Sequence, residues 1–170
     1  DGWPIIGRLL SVNIGSMQWT AVMPSQEEPK FHMQRSDDFD NTHLFPQWEW
    51  NYQPRKEMYS LTERQGWLRL KAYQPLKTNE LMYAGNILTQ RSFQTFRNEV
   101  IIKMDISGME DGQKCGLCHF SQLYSYLGVV QQDGKRRIEY NQNSETLEGK
   151  MIDTSYIWLK SEWGLDGKSL

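Results

Sequence analysis

Asn98-Glu99-Val100-Ile101-Ile102-Lys103-Met104-Asp105-Ile106 is the stretch that decides the fold. Val100, Ile102, Met104 and Ile106 recur at every second position, the period of a strand that turns one face inward. A helix would space its apolar residues three or four apart. Downstream, Gly108, Asp111 and Gly112 mark a turn, and Leu117–Val130 is long and aromatic. Asp133-Gly134 fits a hairpin turn before Arg137-Ile138-Glu139-Tyr140, and Ile157–Trp163 alternates again. Upstream, Trp67–Tyr73 alternates and stops before Pro75, and Leu81–Thr89 reads as a further strand. No segment keeps a helical period for long. Strand signals at this spacing predict an all-β fold, an antiparallel β-sandwich.

Two boundaries frame that domain. Residues 1–7, DGWPIIG, are apolar and compact, whereas 8–35 lack sustained periodicity and include the polar stretch PSQEEPK at 24–30. Residues 8–35 are therefore expected to be a linker or packing strap, with the sandwich over 36–170. At the far end Gly164-Leu165-Asp166-Gly167-Lys168 is a turn signal after a good strand, with no returning strand behind it. An antiparallel sheet stopping there leaves backbone groups unpaired, so the sandwich is expected to be incomplete at its C-terminal end.

The chain has 170 residues, enough for one domain with an ordinary core. Its 19 basic and 21 acidic side chains leave a net charge of -2, no field to gather nucleic acid or anionic lipid. The one basic cluster, Lys135-Arg136-Arg137, follows Asp-Gly and reads as a solvated turn. No apolar run approaches the roughly 20 residues of a membrane span. Neither nucleic acid nor membrane is an expected partner. Seven Trp, 8 Tyr and 6 Phe suit sugar faces, but they suit strands and cores equally.

Cys115-Gly116-Leu117-Cys118-His119 matches the C-x-x-C-H haem-attachment pattern. In a strand, positions three apart point to opposite faces, so the two thiols are expected to pack on either side of a sheet. Zinc would need more ligands than this motif holds, and His32 and His43 are remote in sequence. Asp37-Asp38-Phe39-Asp40-Asn41 can offer oxygen ligands to Ca²⁺, Asp38 among them, or serve a turn. No cofactor is required, and a structural Ca²⁺ at Asp38 is the metal use left open. The remaining carboxylates are scattered, so no catalytic residue is assigned. Trp48 and Trp50 share one face if residues 47–51 are extended, where they stack on a polysaccharide or seal a core. Tyr124 is open to a ligand if Leu123-Tyr124 lies in a loop, and packs if it lies in a strand.

Several stretches in order resemble one family: SDDFDNTHLFPQWEWNYQP at 36–54, YSLTERQGWLRLKA at 59–72, ILTQRSFQTF at 87–96, DISGMEDGQKCGLCHF at 105–120, and IWLKSEWGLDGKS at 157–169. Together they resemble the C-terminal concanavalin A-like β-sandwich of family 43 glycoside hydrolases, the β-xylosidase and α-arabinofuranosidase group. DGWPIIG is similar to the last residues of the preceding catalytic domain. The resemblance implies a partner, a five-bladed β-propeller that performs inverting hydrolysis with two Asp and one Glu, none of them assignable here. It implies a bracing role for the sandwich, and a loop at Cys118–Tyr126, tipped by Leu123-Tyr124, that reaches the mouth of the active site. Relatives with an active-site aromatic there carry a longer Tyr/Asn-rich loop. The carbohydrate-contacting candidates are thus Tyr124, Leu123, Trp48 and Trp50. The rival expectations are a free-standing carbohydrate-binding module and a purely structural interaction domain. An exported location, extracellular or periplasmic, is favoured over the cytoplasm.

Overall fold

The structure is a computed structural model that describes residues 8–11, 14–16, 22, 35–78, 80–91, 96–142 and 145–164. The chain divides into two compact units, Asp1–Phe31 and His32–Leu170. In the first, strands β1 (Arg8–Ser11) and β2 (Ile14–Ser16) pair antiparallel, inside the stretch expected to be linker. Apart from Val22 and Arg35, the rest of the expected strap lies outside the described residues, as does the turn expected after Gly164.

The second unit carries β3 (Glu49–Trp50), β4 (Tyr59–Ser60), β5 (Arg69–Leu70), β6 (Leu88–Thr89), β7 (Asn98–Asp105), β8 (Lys114–His119), β9 (Ser125–Gln132), β10 (Lys135–Gln142), β11 (Glu145–Ile152) and β12 (Tyr156–Trp163). A four-stranded antiparallel sheet runs in the order β11-β10-β9-β8, and β12 pairs with β7. Short bridges join β3 to β6 and β4 to β5. The only helical pieces among the described residues are 3-10 turns at Lys56–Met58 and Leu81–Tyr83.

The alternation of residues 98–106 is realised in β7. Val100, Ile102 and Met104 are half-buried, Ile106 is fully buried, and Glu99, Ile101 and Lys103 are exposed. Across the ladder, Leu159 meets Ile102 and Ile157 meets Met104, so both strands present one apolar row. The four-stranded sheet supplies the other side with Cys115, Leu117 and His119 of β8, Leu127 and Val129 of β9, and Ile138 and Tyr140 of β10. His119 links the two layers: its Nε2 lies 2.6 Å from Ser161 Oγ, and its ring meets Trp163 edge-on at 5.0 Å. Each fully buried aliphatic side chain here, such as Val129 or Leu159, contributes about 1.5–3 kcal/mol.

Two strand expectations shift in the structure. Leu81–Thr89 is not one strand, because Gly85-Asn86 turns the chain between a 3-10 turn and the short β6. Tyr73 occupies the space beside that turn, and a Cβ on Gly85 would lie 1.8 Å from its hydroxyl. Leu117–Val130, read only as long and aromatic, divides into β8 and β9, and Leu123-Tyr124 falls in the loop between them, within the Cys118–Tyr126 stretch that the resemblance implies is a loop. Trp67–Tyr73 contributes only Arg69–Leu70. In addition, β11 carries no alternation to read, since every described residue from Glu145 to Met151 is exposed. It is an edge strand, and a bulge opposite Ile138 twists it where Gly149 comes within reach of the Ile138 side chain.

The β9–β10 hairpin is as the sequence predicts. Asp133 (φ 50°) and Gly134 (φ 70°) both adopt left-handed backbone, the geometry of a type I′ turn. Both carboxylate oxygens of Asp111 accept from the Gly134 amide, at 2.9 and 3.1 Å, tying the β7–β8 connection to this turn. Gly134→Ala is expected to cost about 1 kcal/mol, because a Cβ disfavours that backbone. The measurement is a urea titration, where the midpoint should fall and the m value should stay constant.

Candidate functional site

The face of the four-stranded sheet opposite the apolar row is polar. Register places Gly116, Gly128, Glu139 and Glu148 in one line across β8, β9, β10 and β11. The β8 and β9 backbones approach closely there: a Cβ on Gly116 would lie 2.3 Å from the Leu127 carbonyl oxygen. With no side chain at Gly128, Lys114 on β8 reaches over β9 to Glu139 on β10, Nζ to Oε1 2.7 Å. The Tyr126 hydroxyl donates to the same oxygen, and Arg137 approaches the other at 3.4 Å while bridging to Glu148 at 2.8 Å. Glu139 is 1% exposed. Burial works to raise its pKa, but the hydrogen bonds from Lys114 and Tyr126 and the charges of Lys114 and Arg137 prevail, holding the carboxyl below its ordinary value. Tyr126 is pushed up by burial and by donating to Glu139. A carboxylate enclosed and neutralised in this way serves the sheet rather than proton transfer to a substrate.

The sequence-derived candidates fall in two places. Trp48 and Trp50 are both half-buried. Trp48 Nε1 donates to Asp37 Oδ2 at 2.7 Å and its ring lies 5.4 Å from Phe39, while Trp50 packs on Tyr59 at 4.8 Å. Asp37 is thereby a turn residue, since its other oxygen accepts from the Phe39 amide. Asp40 bonds Asn41, and Asp38 is exposed. Among the described residues no group of three or more His, Cys, Asp or Glu gathers to hold a metal ion. Leu123 and Tyr124 close the loop between β8 and β9. Leu123 is 78% exposed, Ser121 Oγ donates to its carbonyl, and the Tyr124 hydroxyl accepts from the Leu81 amide at 3.4 Å.

Sequence reasoning missed an open depression of about 510 Å³ bordered by Thr42, Lys56, Tyr59, Ser60, Glu63 and Lys71. Its one sequence signal is the hydroxyl- and charge-rich run Tyr59–Arg64, which alone does not indicate a concavity. Lys71 at 2.7 Å and Arg69 at 3.1 Å hold Glu63, and the Lys71 hydrogen bond leads in lowering its pKa. Glu63 is thus kept ionised, which suits binding of hydroxyls and not general-acid catalysis. Cys115 and Cys118 face opposite sides of β8, as expected, and burial pushes both thiols up to about 11.

The family model for the beta xylosidase C-terminal concanavalin A-like domain matches residues 36–164. The chain belongs to that family. A Beta-xylosidase of Formosa agariphila is 32% identical over 99% of this chain, which spans 34% of that relative's length. Among solved structures, a bifunctional GH43-CE protein of Bacteroides eggerthii is 30% identical with a TM-score of 0.69, covering 78% of this chain and 18% of that one. A GH43 glycoside hydrolase engineered at its active site to display both endo-xylanase and exo-arabinofuranosidase activity gives 25% identity and a TM-score of 0.70, covering 83% of this chain and 30% of that one. The domain is thus an antiparallel concanavalin A-like sandwich of the glycoside hydrolase family 43 group, and the C-x-x-C-H motif falls inside the family match.

Removing the buried charge should be costly: Glu139→Ala is expected to lower unfolding free energy by about 2–4 kcal/mol, with the exposed end of Lys114 screening part of the pair. Chemical denaturation measures this, and a loss under 0.5 kcal/mol would contradict the network. For the thiols, a pKa of about 11 leaves a thiolate fraction on the order of 10⁻³ at pH 8. An aromatic disulfide reagent should therefore label the folded chain slowly and the urea-unfolded chain at once.

Proposed function

We propose that this domain is the accessory sandwich of a glycoside hydrolase acting on xylo- or arabino-configured plant glycans. It braces a catalytic five-bladed β-propeller and shapes the mouth of its substrate pocket. The observation that carries this reading is the β8–β9 loop. Leu123 projects an apolar side chain into solvent from a loop tethered by Ser121 and by the Tyr124 hydroxyl, between two ladder strands. A held, exposed apolar tip is what a contact that sets pocket shape requires. The match to a domain that is C-terminal in beta xylosidases supports a family 43 catalytic domain as its neighbour.

On this reading selectivity comes from steric closure and stacking, with proton transfer left to the propeller's carboxylates. The exposed edges of Trp48 and Trp50, and the hydroxyls and Glu63 around the neighbouring depression, are the further carbohydrate contacts we propose. Residues 1–35 would be the tail of the preceding catalytic domain followed by a linker or packing strap, and any structural Ca²⁺ would be sought at Asp38. A free-standing binding module needs a row of exposed coplanar rings. Trp48, Trp50, Trp67 and Tyr124 are each half-buried, and Trp48 and Trp50 lie against Phe39 and Tyr59 at 30° and 50°, which favours the accessory reading.

The test is hydrolysis of aryl β-xyloside and aryl α-arabinofuranoside by the purified chain at confirmed intact mass. No turnover is expected from the chain alone. In the complete enzyme, Leu123→Ala should raise KM several-fold with a smaller change in kcat. Turnover by the isolated chain would sink the accessory reading.

A further inference from the structure

The outer face of the β7–β12 ladder carries a cluster that none of the features above uses. Tyr156 and Trp158 stand on β12, opposite Asp105 and Lys103 of β7. Trp67 joins them from the segment before β5, its ring 6.0 Å from that of Tyr156. Trp158 is 65% exposed and Tyr156 44%, so flat apolar surface faces solvent on a rigid ladder. The Lys103 ammonium lies 5.5, 5.2 and 5.4 Å from the ring centres of Trp67, Tyr156 and Trp158.

The charges in this cluster do not cancel. Asp105 is spent: Arg64 holds it at 2.5 Å, and it also accepts from the hydroxyl and amide of Ser107. Arg64 in turn lies 4.1 Å over the Trp67 ring and donates to the Tyr156 hydroxyl. Glu99 and Glu162 are taken up by Lys160. Among the described residues, Lys103 forms no ion pair, and its neighbours are rings. An uncompensated ammonium among exposed aromatic faces selects a ligand that has both a flat C–H face and an anionic group.

We infer that the Trp158–Tyr156–Lys103 face binds an anionic saccharide, a pyranose ring carrying a carboxylate, as in a hexuronate side unit of a xylan chain. The ring lies on Trp158 and its carboxylate takes the Lys103 ammonium. This rests on the carbohydrate reading above and deepens it, assigning a second contact surface away from the β8–β9 loop.

The test is titration calorimetry of the whole chain with glucuronate-substituted xylotetraose and, in parallel, unsubstituted xylotetraose. The uronate ligand is expected to bind at least 5-fold tighter, with the preference lost at 0.5 M salt. Lys103→Met should abolish the preference, and Trp158→Ala should weaken binding at least 10-fold. Both residues are exposed, and unchanged circular dichroism would confirm that the variants fold. Binding of both ligands with equal affinity would overturn this inference and leave the accessory reading intact. Absence of binding by either ligand would overturn it as well, while turnover by the complete enzyme judges the accessory reading separately. Uronate binding that survives Trp158→Ala would place the ligand elsewhere and overturn the site.

Discussion

Lys114 of β8 and Tyr126 of β9 reach Glu139 on β10, and only one register lets them do so. A carboxylate that is 1% exposed tolerates its burial only with its partners in place. Those partners come from β8, β9 and β10, and Arg137 extends the chain of charges to Glu148 on β11. A one-residue slip of any strand would send its contribution to the opposite face and strand the charge. The apolar row on the other face depends on this lock, because the same register that gathers the charges aligns Leu117, Leu127 and Val129 on one side of the sheet. Gly128 is the enabling residue. Any side chain there would obstruct the span from Lys114 to Glu139, and a Cβ would lie 2.2 Å from the Cys115 carbonyl oxygen.

Much of this was legible in the sequence where one physical signal dominated. β7 announces itself because its inner and outer residues differ in polarity, and the Asp133-Gly134 turn because few residues accept its backbone. β11 was illegible for the opposite reason: an edge strand with both faces solvated has no alternation to display. The break at residues 120–124 has no signal in the apolar pattern of 117–130, which left Leu123-Tyr124 open between loop and strand; its place came from the family resemblance instead. For the site, sequence spacing correctly separated Cys115 from Cys118 across the sheet. It could not show that Lys114 and Glu139, 25 positions apart, meet over a glycine. Nor could it bring Trp67 beside Tyr156, since that proximity exists only once β7 and β12 have paired.

The polar choices of the domain divide by depth. Buried charge fixes the sheet, half-buried rings such as Trp48 and Trp50 fix the segments before it, and the most exposed apolar groups stand at the surface. Leu123 and Trp158 are two of these, on different elements, and each is held by a well-paired neighbour rather than by its own packing. Such positions are inexpensive to vary in evolution. Substitution there changes what the surface meets without disturbing the register beneath it.

The pairing of β7 with β12 also has a consequence in time. Asp105 meets Tyr156 only after a loop of about 50 residues is closed, whereas β9 and β10 meet across a two-residue turn. On the ribosome, at about 5–20 residues per second, β7 waits roughly 2.5–10 seconds for its partner to be synthesised. Through that interval the edge of β7 that β12 will pair with is without its partner strand, and its backbone groups rely on water until β12 arrives.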